Sequence, residues 1–153
     1  LHNLAFAQAQ CGNTVAASST LAAAHQAALR GGVTPDPRMA LLQATLALEA
    51  GELVAAEEAL ASARAQFGSR QPSAAWFHAA ALAAAVGGDT ARATALLEEG
   101  LQCYPQAVVL HNNLAAVQER RGQYEGASRT IEHALLTDAS LPQLHKNLGD
   151  YLY

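Results

Sequence analysis

Residues 76–105, WFHAAALAAAVGGDTARATALLEEGLQCYP, decide the fold of this chain. Two segments rich in alanine and leucine, which are strong helix formers, flank the dipeptide Gly88-Asp89. A glycine can stop a helix in the left-handed conformation, and an aspartate just after it can cap the next helix. The stretch therefore predicts two short antiparallel helices joined by a tight turn.

The same pattern recurs along the chain. Each of four glycines precedes a polar residue, and the spacings between these glycines are 39, 37 and 34 residues. One alanine lies seven residues before each glycine, and another lies five residues after it. The glycines are Gly12, Gly51, Gly88 and Gly122, the earlier alanines are Ala5, Ala44, Ala81 and Ala115, and the later ones are Ala17, Ala56, Ala93 and Ala127. Columns that stay in step through unequal spacings indicate a repeated helical hairpin.

Stacking of these hairpins is predicted, because neither helix of a hairpin can bury its apolar stripe alone. We predict one domain with units at residues 1–34, 38–70, 73–106 and 107–140 and a partial unit at 141–153. Asp36-Pro37 opens the second unit as a capping residue followed by proline at the first helical position. Because the chain starts without methionine and ends in an apolar-periodic stretch, we expect a fragment of a longer protein.

Composition supports an all-α chain and excludes several classes of function. Alanine and leucine fill 37 and 22 of the 153 positions. A single lysine, Lys146, excludes a Walker-type P-loop and nearly every Schiff-base enzyme. The net charge of −4 with no basic stripe excludes nucleic acid as an expected partner. No apolar run approaches the ~20 residues that a membrane span needs. The excess of arginine over lysine indicates a bacterial source, and we expect a cytoplasmic rather than a periplasmic protein.

On these residues the sequence resembles the tetratricopeptide repeat family. The best-matching unit runs from Trp76-Phe77 to Tyr104-Pro105, with Pro105 at the position of the family's proline. Leu53 and Tyr124 occupy the usual bulky position at the start of a second helix. The resemblance implies an all-α, right-handed superhelix (a solenoid) of about four and a half hairpins that holds protein or peptide segments in a concave groove.

The resemblance also implies which residues line that groove, because the family uses one face of the first helix in each hairpin. One family subtype, found in the repeat arms of protein glycosyltransferases, adds a ladder of asparagines, which Asn3, Asn113 and Asn147 match incompletely. The basic clamp of the chaperone-binding subtype is absent, because Arg38 and Lys146 lie three repeats apart. The predicted partner-binding residues are Asn3, Phe6, Arg38, Leu41, Thr45, Leu48, His78, Leu82, Asn112, Asn113, Glu119, Lys146, Asn147 and Asp150.

The histidines and cysteines point to packing rather than to chemistry. His111 and His145 occupy the same repeat position, 34 residues apart in sequence. Stacked repeats would hold them about 10 Å apart, the distance between packed helices, which is too far to share one tetrahedral zinc. We interpret them as polar substitutes for an aromatic residue at a partly buried site. Cys11 and Cys103 are predicted to pack in the core, since neither sits beside an oxyanion hole that a nucleophile would need. No catalytic residue, metal or cofactor is predicted.

The predicted function is a non-enzymatic scaffold that binds a protein or peptide segment, without membrane insertion. Two alternatives stay open. The chain could be the substrate-recruiting arm of a larger enzyme, such as a protein glycosyltransferase-like protein. It could also associate with itself through Leu144, Leu148 and Leu152 of the incomplete last unit.

Overall fold

The computed structural model describes residues 2–32 and 36–137, and the regular secondary structure in these ranges is α-helical. The helices are α1 (His2–Gln10), α2 (Thr14–Arg30), α3 (Pro37–Glu49), α4 (Leu53–Phe67), α5 (Ala74–Val86), α6 (Thr90–Cys103), α7 (Val108–Arg120) and α8 (Tyr124–Thr137). Two of them fall in each of the predicted units 1–34, 38–70, 73–106 and 107–140, except that α3 begins at Pro37, one residue before its unit. The partial unit 141–153 lies outside the described residues.

The four repeat glycines form the turns that the sequence predicts. Their φ angles lie between 72° and 84°, a left-handed conformation that glycine adopts without the steric cost of a Cβ. At the third turn, Asp89 N–H donates to Ala84 O at 2.9 Å and Gly88 N–H donates to Ala85 O at 3.2 Å. Equivalent bonds close the other three turns. This pair of bonds is the Schellman motif, which satisfies carbonyls at the end of a helix.

Side-chain caps start several of the helices. Asp89 Oδ1 accepts from Arg92 N–H at 2.9 Å, and Asn13 Oδ1 accepts from Ala16 N–H at 3.1 Å. Asp36 caps α3 ahead of Pro37, as the sequence predicts. Such caps satisfy amide groups that the first turn of a helix leaves without an intrahelical partner.

The chain divides into two compact units, residues 1–79 and 80–153. In the first unit, α1 packs against α2 and α3 against α4. Ala5, Ala17, Leu21 and Leu46 form a buried cluster. Phe77 is fully buried in edge-to-face contact with Trp76 at 5.3 Å between ring centroids, and Trp76 Nε1–H donates to Leu60 O at 3.0 Å.

The second unit is built around fully buried aliphatic side chains. Leu97, Leu110 and Ile131 are each completely buried. Ile131 belongs to a cluster with alanines of α7 and α8, against which Val108 and Leu135 pack. Helix α7 therefore packs against both α6 and α8. The assignment of the whole chain to one domain stays a prediction.

A polar pair joins the two helices of some hairpins but not of others. Thr20 Oγ1 donates to Gln8 Oε1 at 2.8 Å between α1 and α2. At the same repeat positions of the last described hairpin, Thr130 Oγ1 donates to Gln118 Oε1 at 2.9 Å. We call this pair, which no local sequence pattern predicts, the Gln–Thr clasp.

A helix can cross a membrane only if it is long enough and apolar enough. None of the helices within 2–32 and 36–137 is long and apolar enough to cross a bilayer.

Candidate functional site

A cavity of about 430 Å³ lies along α3 in the first unit. We call it the α3 cavity. Its walls come from the end of α1, the length of α3 and the start of α5. The lining residues are Ala9, Gln10, Arg38, Leu41, Leu42, Thr45, Leu46, Glu49, Ala75 and His78. The volume lies within the range of ~300–1,000 Å³ that is typical of ligand pockets.

The apolar part of the α3 cavity is anchored in the core. Leu46 is buried in the cluster with Ala5, Ala17 and Leu21, and Leu42 packs against that cluster. Leu41 is half-buried. Because residues three and four apart on a helix share a face, these leucines and Thr45 present one continuous surface. Packing of Leu42 and Leu46 against the core holds that surface in place.

One end of the α3 cavity carries a neutralised positive charge. Arg38 Nη2 donates to Asp36 Oδ2 at 2.5 Å, and Arg38 Nε donates to the same oxygen at 2.9 Å. The hydrogen bond and the charge of Asp36 raise the pKa of the Arg38 guanidinium above its ordinary value. Asp36 also caps α3 through Arg38 N–H. The carboxylate thus fixes both the helix start and the arginine side chain.

The other end of the α3 cavity carries a negative charge. Glu49 is the last residue of α3 and is exposed. Its carboxylate forms no ion pair with the residues that the structure describes. The C-terminal end of a helix also carries a partial negative charge. This end of the cavity therefore attracts cations.

His78 contributes a polar but uncharged side chain to the cavity wall. Burial lowers the pKa of its imidazole below the ordinary value of 6.5. A histidine with a pKa below that value is mostly neutral at pH 7. The charges of Arg38 and Asp36 cancel and His78 is mostly neutral. The net charge of the α3 cavity and Asp36 together is therefore the negative charge of the Glu49 carboxylate.

Arg38 and Leu41 also line a second, open cavity of about 690 Å³ in the same unit, with Phe67, Arg70 and Ser73 among its walls. Arg70 Nη2 donates to Gln66 O at 3.3 Å. This cavity contains none of the other predicted partner-binding residues, so the α3 cavity is the stronger candidate.

The second unit has smaller cavities: an open one of about 290 Å³ beside His111 and His133, and one of about 90 Å³. Leu82 and Asn113 line the 90 Å³ cavity together with Ala85, Ala116 and Arg120. Leu82 is 42% exposed, and Val86 and Val109 are exposed as well. The second unit thus offers exposed apolar side chains on α5 and α7 rather than a deep cavity.

The predicted partner-binding residues separate into four groups. Arg38, Leu41, Thr45 and His78 line the α3 cavity, and Leu82 and Asn113 line the small cavity of the second unit. Four further residues line neither cavity: Asn3 and Glu119, which are exposed, and Leu48 and Asn112, which are half-buried. The side chain of Phe6 and the residues Lys146, Asn147 and Asp150 lie outside the described part of the chain.

Sequence reasoning missed three apolar residues of the α3 cavity. Ala9, Leu42 and Leu46 line it but are not among the groove positions carried over from the family. Leu42 and Leu46 were detectable, because they lie four residues apart on the same helix as Leu41 and Thr45. Ala9 carries no such signal, since its place depends on how α1 packs against α3.

The prediction that both cysteines pack in the core is wrong for Cys11. Cys11 is exposed in the turn between α1 and α2, where the chain reverses beside Gly12 and its side chain leaves the hairpin interface. Cys103 is half-buried at the end of α6.

His111 occupies the partly buried site that the repeat position predicts. It is buried, its Nε2 lies 2.8 Å from Pro105 O, and its ring lies 5.2 Å from that of the exposed His133. The described residues hold no group of three histidine, cysteine or acidic side chains placed to bind a metal.

An array of antiparallel helical hairpins with glycine turns defines a class of α-helical repeat proteins. The sequence model of the tetratricopeptide repeat family matches residues 87–148. This match confirms the resemblance to the tetratricopeptide repeat family noted from the sequence. A search of curated proteins finds no match.

Solved structures share the fold. One is a chain of the Cut9–Hcn1 hetero-tetramer of the APC/C, with a TM-score of 0.83, 17% identity and coverage of 98% of this chain and 29% of that one. Another is pilF of Pseudomonas aeruginosa, with a TM-score of 0.83, 21% identity and coverage of 99% and 66%. A thermophilic tetratricopeptide repeat protein of Thermus thermophilus has a TM-score of 0.77, 17% identity and coverage of 97% and 78%.

These structures confirm the predicted fold class, an all-α solenoid of helical hairpins. This chain spans 29% and 66% of the length of the first two. The right-handed superhelix and the bacterial source stay predictions.

Proposed function

We propose that this chain is a non-enzymatic scaffold that binds an extended protein or peptide segment, with the α3 cavity as its principal contact, and that it works in the cytoplasm. Tetratricopeptide repeats are in general interaction scaffolds rather than catalysts. The observation that carries the proposal is the α3 cavity itself, because it joins an apolar surface anchored in the core to polar groups at both ends.

The dimensions of α3 suit a short extended segment. Arg38 and Glu49 lie eleven positions apart on one helix, which corresponds to about 16 Å at 1.5 Å per residue. An extended chain rises about 3.3 Å per residue, so roughly five residues would span this distance. The leucines would hold apolar side chains of the segment, and Thr45, Gln10 and His78 offer polar groups to its main chain.

The two alternative functions do not involve the α3 cavity. Self-association was predicted through Leu144, Leu148 and Leu152, which lie outside the described residues. The enzyme-arm hypothesis concerns a catalytic domain outside these 153 residues. Both stay hypotheses.

Selection from a displayed library of random peptides, followed by affinity measurements on the enriched sequences, tests the proposal. Leu41→Arg should weaken binding of those peptides by about ten-fold or more. The arginine places a charge at the centre of the apolar surface, and that charge would have to lose its water when a peptide binds. The matched control is Val54→Arg, since Val54 is 71% exposed on α4 and lines neither cavity of this unit.

Circular dichroism should show equal helix content in wild type and both variants. Selection that enriches no peptide, or enriched peptides that bind Leu41→Arg as tightly as wild type, would contradict the α3 cavity as the contact.

A further inference from the structure

The charges along α3 are asymmetric. At its start, Asp36 neutralises Arg38 through two hydrogen bonds to Oδ2 and one from Nε to Oδ1 at 3.1 Å. At its end, the exposed Glu49 lines the cavity, and the described residues supply no ion-pair partner for it. An incoming anion would compete with Asp36 for Arg38, whereas an incoming cation would meet an available carboxylate.

The apolar surface and this carboxylate lie on one stripe of α3. Leu42, Leu46 and Glu49 follow each other at helical spacings of four and three residues, and all three line the cavity. Leu42 and Glu49 are about 10 Å apart along the helix axis. An extended peptide covers that distance in about three residues.

We propose that the α3 cavity selects extended peptide segments in which an apolar side chain, seated on Leu42 and Leu46, is followed two or four residues later, on the same face of the extended chain, by a lysine or arginine paired with Glu49. This inference rests on the proposed function and narrows it to one class of partner: cationic–apolar segments rather than acidic ones. The uncharged state of His78 above its lowered pKa agrees with it, because no second positive charge then repels the basic side chain.

Three capped, fluorescein-labelled hexapeptides of the sequence Leu-Ala-Leu-Ala-X-X test the inference by fluorescence polarisation, with X as arginine, glutamine or glutamate. Wild type should bind the arginine peptide up to about five-fold tighter than the glutamine peptide, the range of an exposed ion pair. It should bind the glutamate peptide most weakly. The preference should shrink as NaCl rises from about 0.05 M to about 0.5 M, because salt screens exposed charges.

Glu49→Gln should bring the arginine and glutamine peptides to nearly equal affinity, and Glu49→Arg should reverse the order in favour of the glutamate peptide. The chain has a net charge of −4, so any cationic peptide gains some general attraction. Glu58→Gln controls for this, because it removes the same charge from an exposed position on α4 that does not line the cavity. That variant should keep the wild-type preference.

Two results would overturn the inference: a preference for arginine that is equal in Glu49→Gln and wild type, or glutamate and arginine peptides that bind equally well. If either occurs while Leu41→Arg still weakens all three peptides, the proposed function stands and only the class of partner is wrong. If none of the three peptides binds wild type, the cationic–apolar class is also wrong. The unrestricted library selection then decides the proposed function separately.

Discussion

Hairpins α3–α4 and α7–α8 have the same type of turn but differ in the side chains that fill the space between their two helices. Both reverse at a glycine with positive φ, 77° at Gly51 and 72° at Gly122. Four residues before and eight residues after the glycine, α3–α4 has Ala47 and Ala59, which are 8% and 7% exposed. The same two positions of α7–α8 hold the Gln–Thr clasp of Gln118 and Thr130.

The difference shows that one backbone motif accepts two kinds of contact. An alanine pair needs no hydrogen bond. A half-buried glutamine and threonine at those positions hydrogen-bond each other, and Thr130 Oγ1 also lies 3.0 Å from Gly126 O, which limits the cost of removing these polar groups from water. The first hairpin follows α7–α8 in this respect, with Gln8 and Thr20. Polar residues here therefore occur in pairs or not at all among these three hairpins.

The largest expected effect tests whether both hairpins depend on the large core residue that lies at the same repeat position in each. Ile131 and Leu60 each lie nine residues after the turn glycine, and both are buried. Replacing either with alanine should lower the free energy of unfolding by about 2–5 kcal/mol, through lost burial and the cavity left behind. Urea unfolding followed by circular dichroism measures it.

Leu136→Ala is the matched control for that experiment, because Leu136 is 86% exposed. Its effect should stay within about 0.5 kcal/mol. A cost below about 1 kcal/mol for Leu60→Ala would show that alanine contacts alone hold α3–α4 together.

An intermediate effect is expected from converting the Gln–Thr clasp into the alanine pair of α3–α4. Gln118→Ala should destabilise the protein by about 0.5 kcal/mol, because the Thr130 hydroxyl loses Gln118 Oε1 but keeps Gly126 O, at 3.0 Å, as an acceptor. The double variant with Thr130→Ala should cost less than the sum of the two single changes. A double-mutant cycle from urea unfolding measures this coupling, and strict additivity would mean that the clasp contributes no stability.

The smallest effect is a pH dependence from His78 in the unit that contains α3–α4. Because burial lowers the pKa of His78 in the folded state, the unfolded state takes up a proton first as the pH falls. The stability linked to His78 is therefore fully present above pH 6.5 and is lost as the pH falls below it. His78→Gln should reduce this loss.

The measurement is the free energy of unfolding of wild type and His78→Gln at about pH 5 and about pH 7.5, the two sides of the histidine titration. Equal losses of stability in the two proteins would show that His78 does not contribute.

Local signals predicted much of the fold from sequence. The sequence predicts turns at Gly51, Gly88 and their equivalents and caps at Asp36 and Asp89, because each of these roles depends on only a few neighbouring residues. Cys11 shows the limit of that reasoning. Its residue type favours burial, but its position in a turn exposes it.

The candidate site was only partly predictable. Family positions placed Arg38, Leu41, Thr45 and His78, which do line one cavity. The same positions included Leu48 and Glu119, which line neither that cavity nor the smaller one in the second unit. The sequence did not predict the Gln–Thr clasp, since a glutamine and a threonine twelve positions apart carry no signal of contact until two helices meet.

The sequence by itself determined the all-α class, the number of described hairpins, the turn glycines and the capped helix starts, because these follow from backbone preferences and the helical period. The tertiary structure alone decided which side chains face one another. It brought α1, α3 and α5 around one cavity, paired Gln8 with Thr20 and left Glu49 exposed beside an apolar surface. Such contacts join helices that are far apart in sequence, and no local sequence pattern encodes how those helices pack against each other.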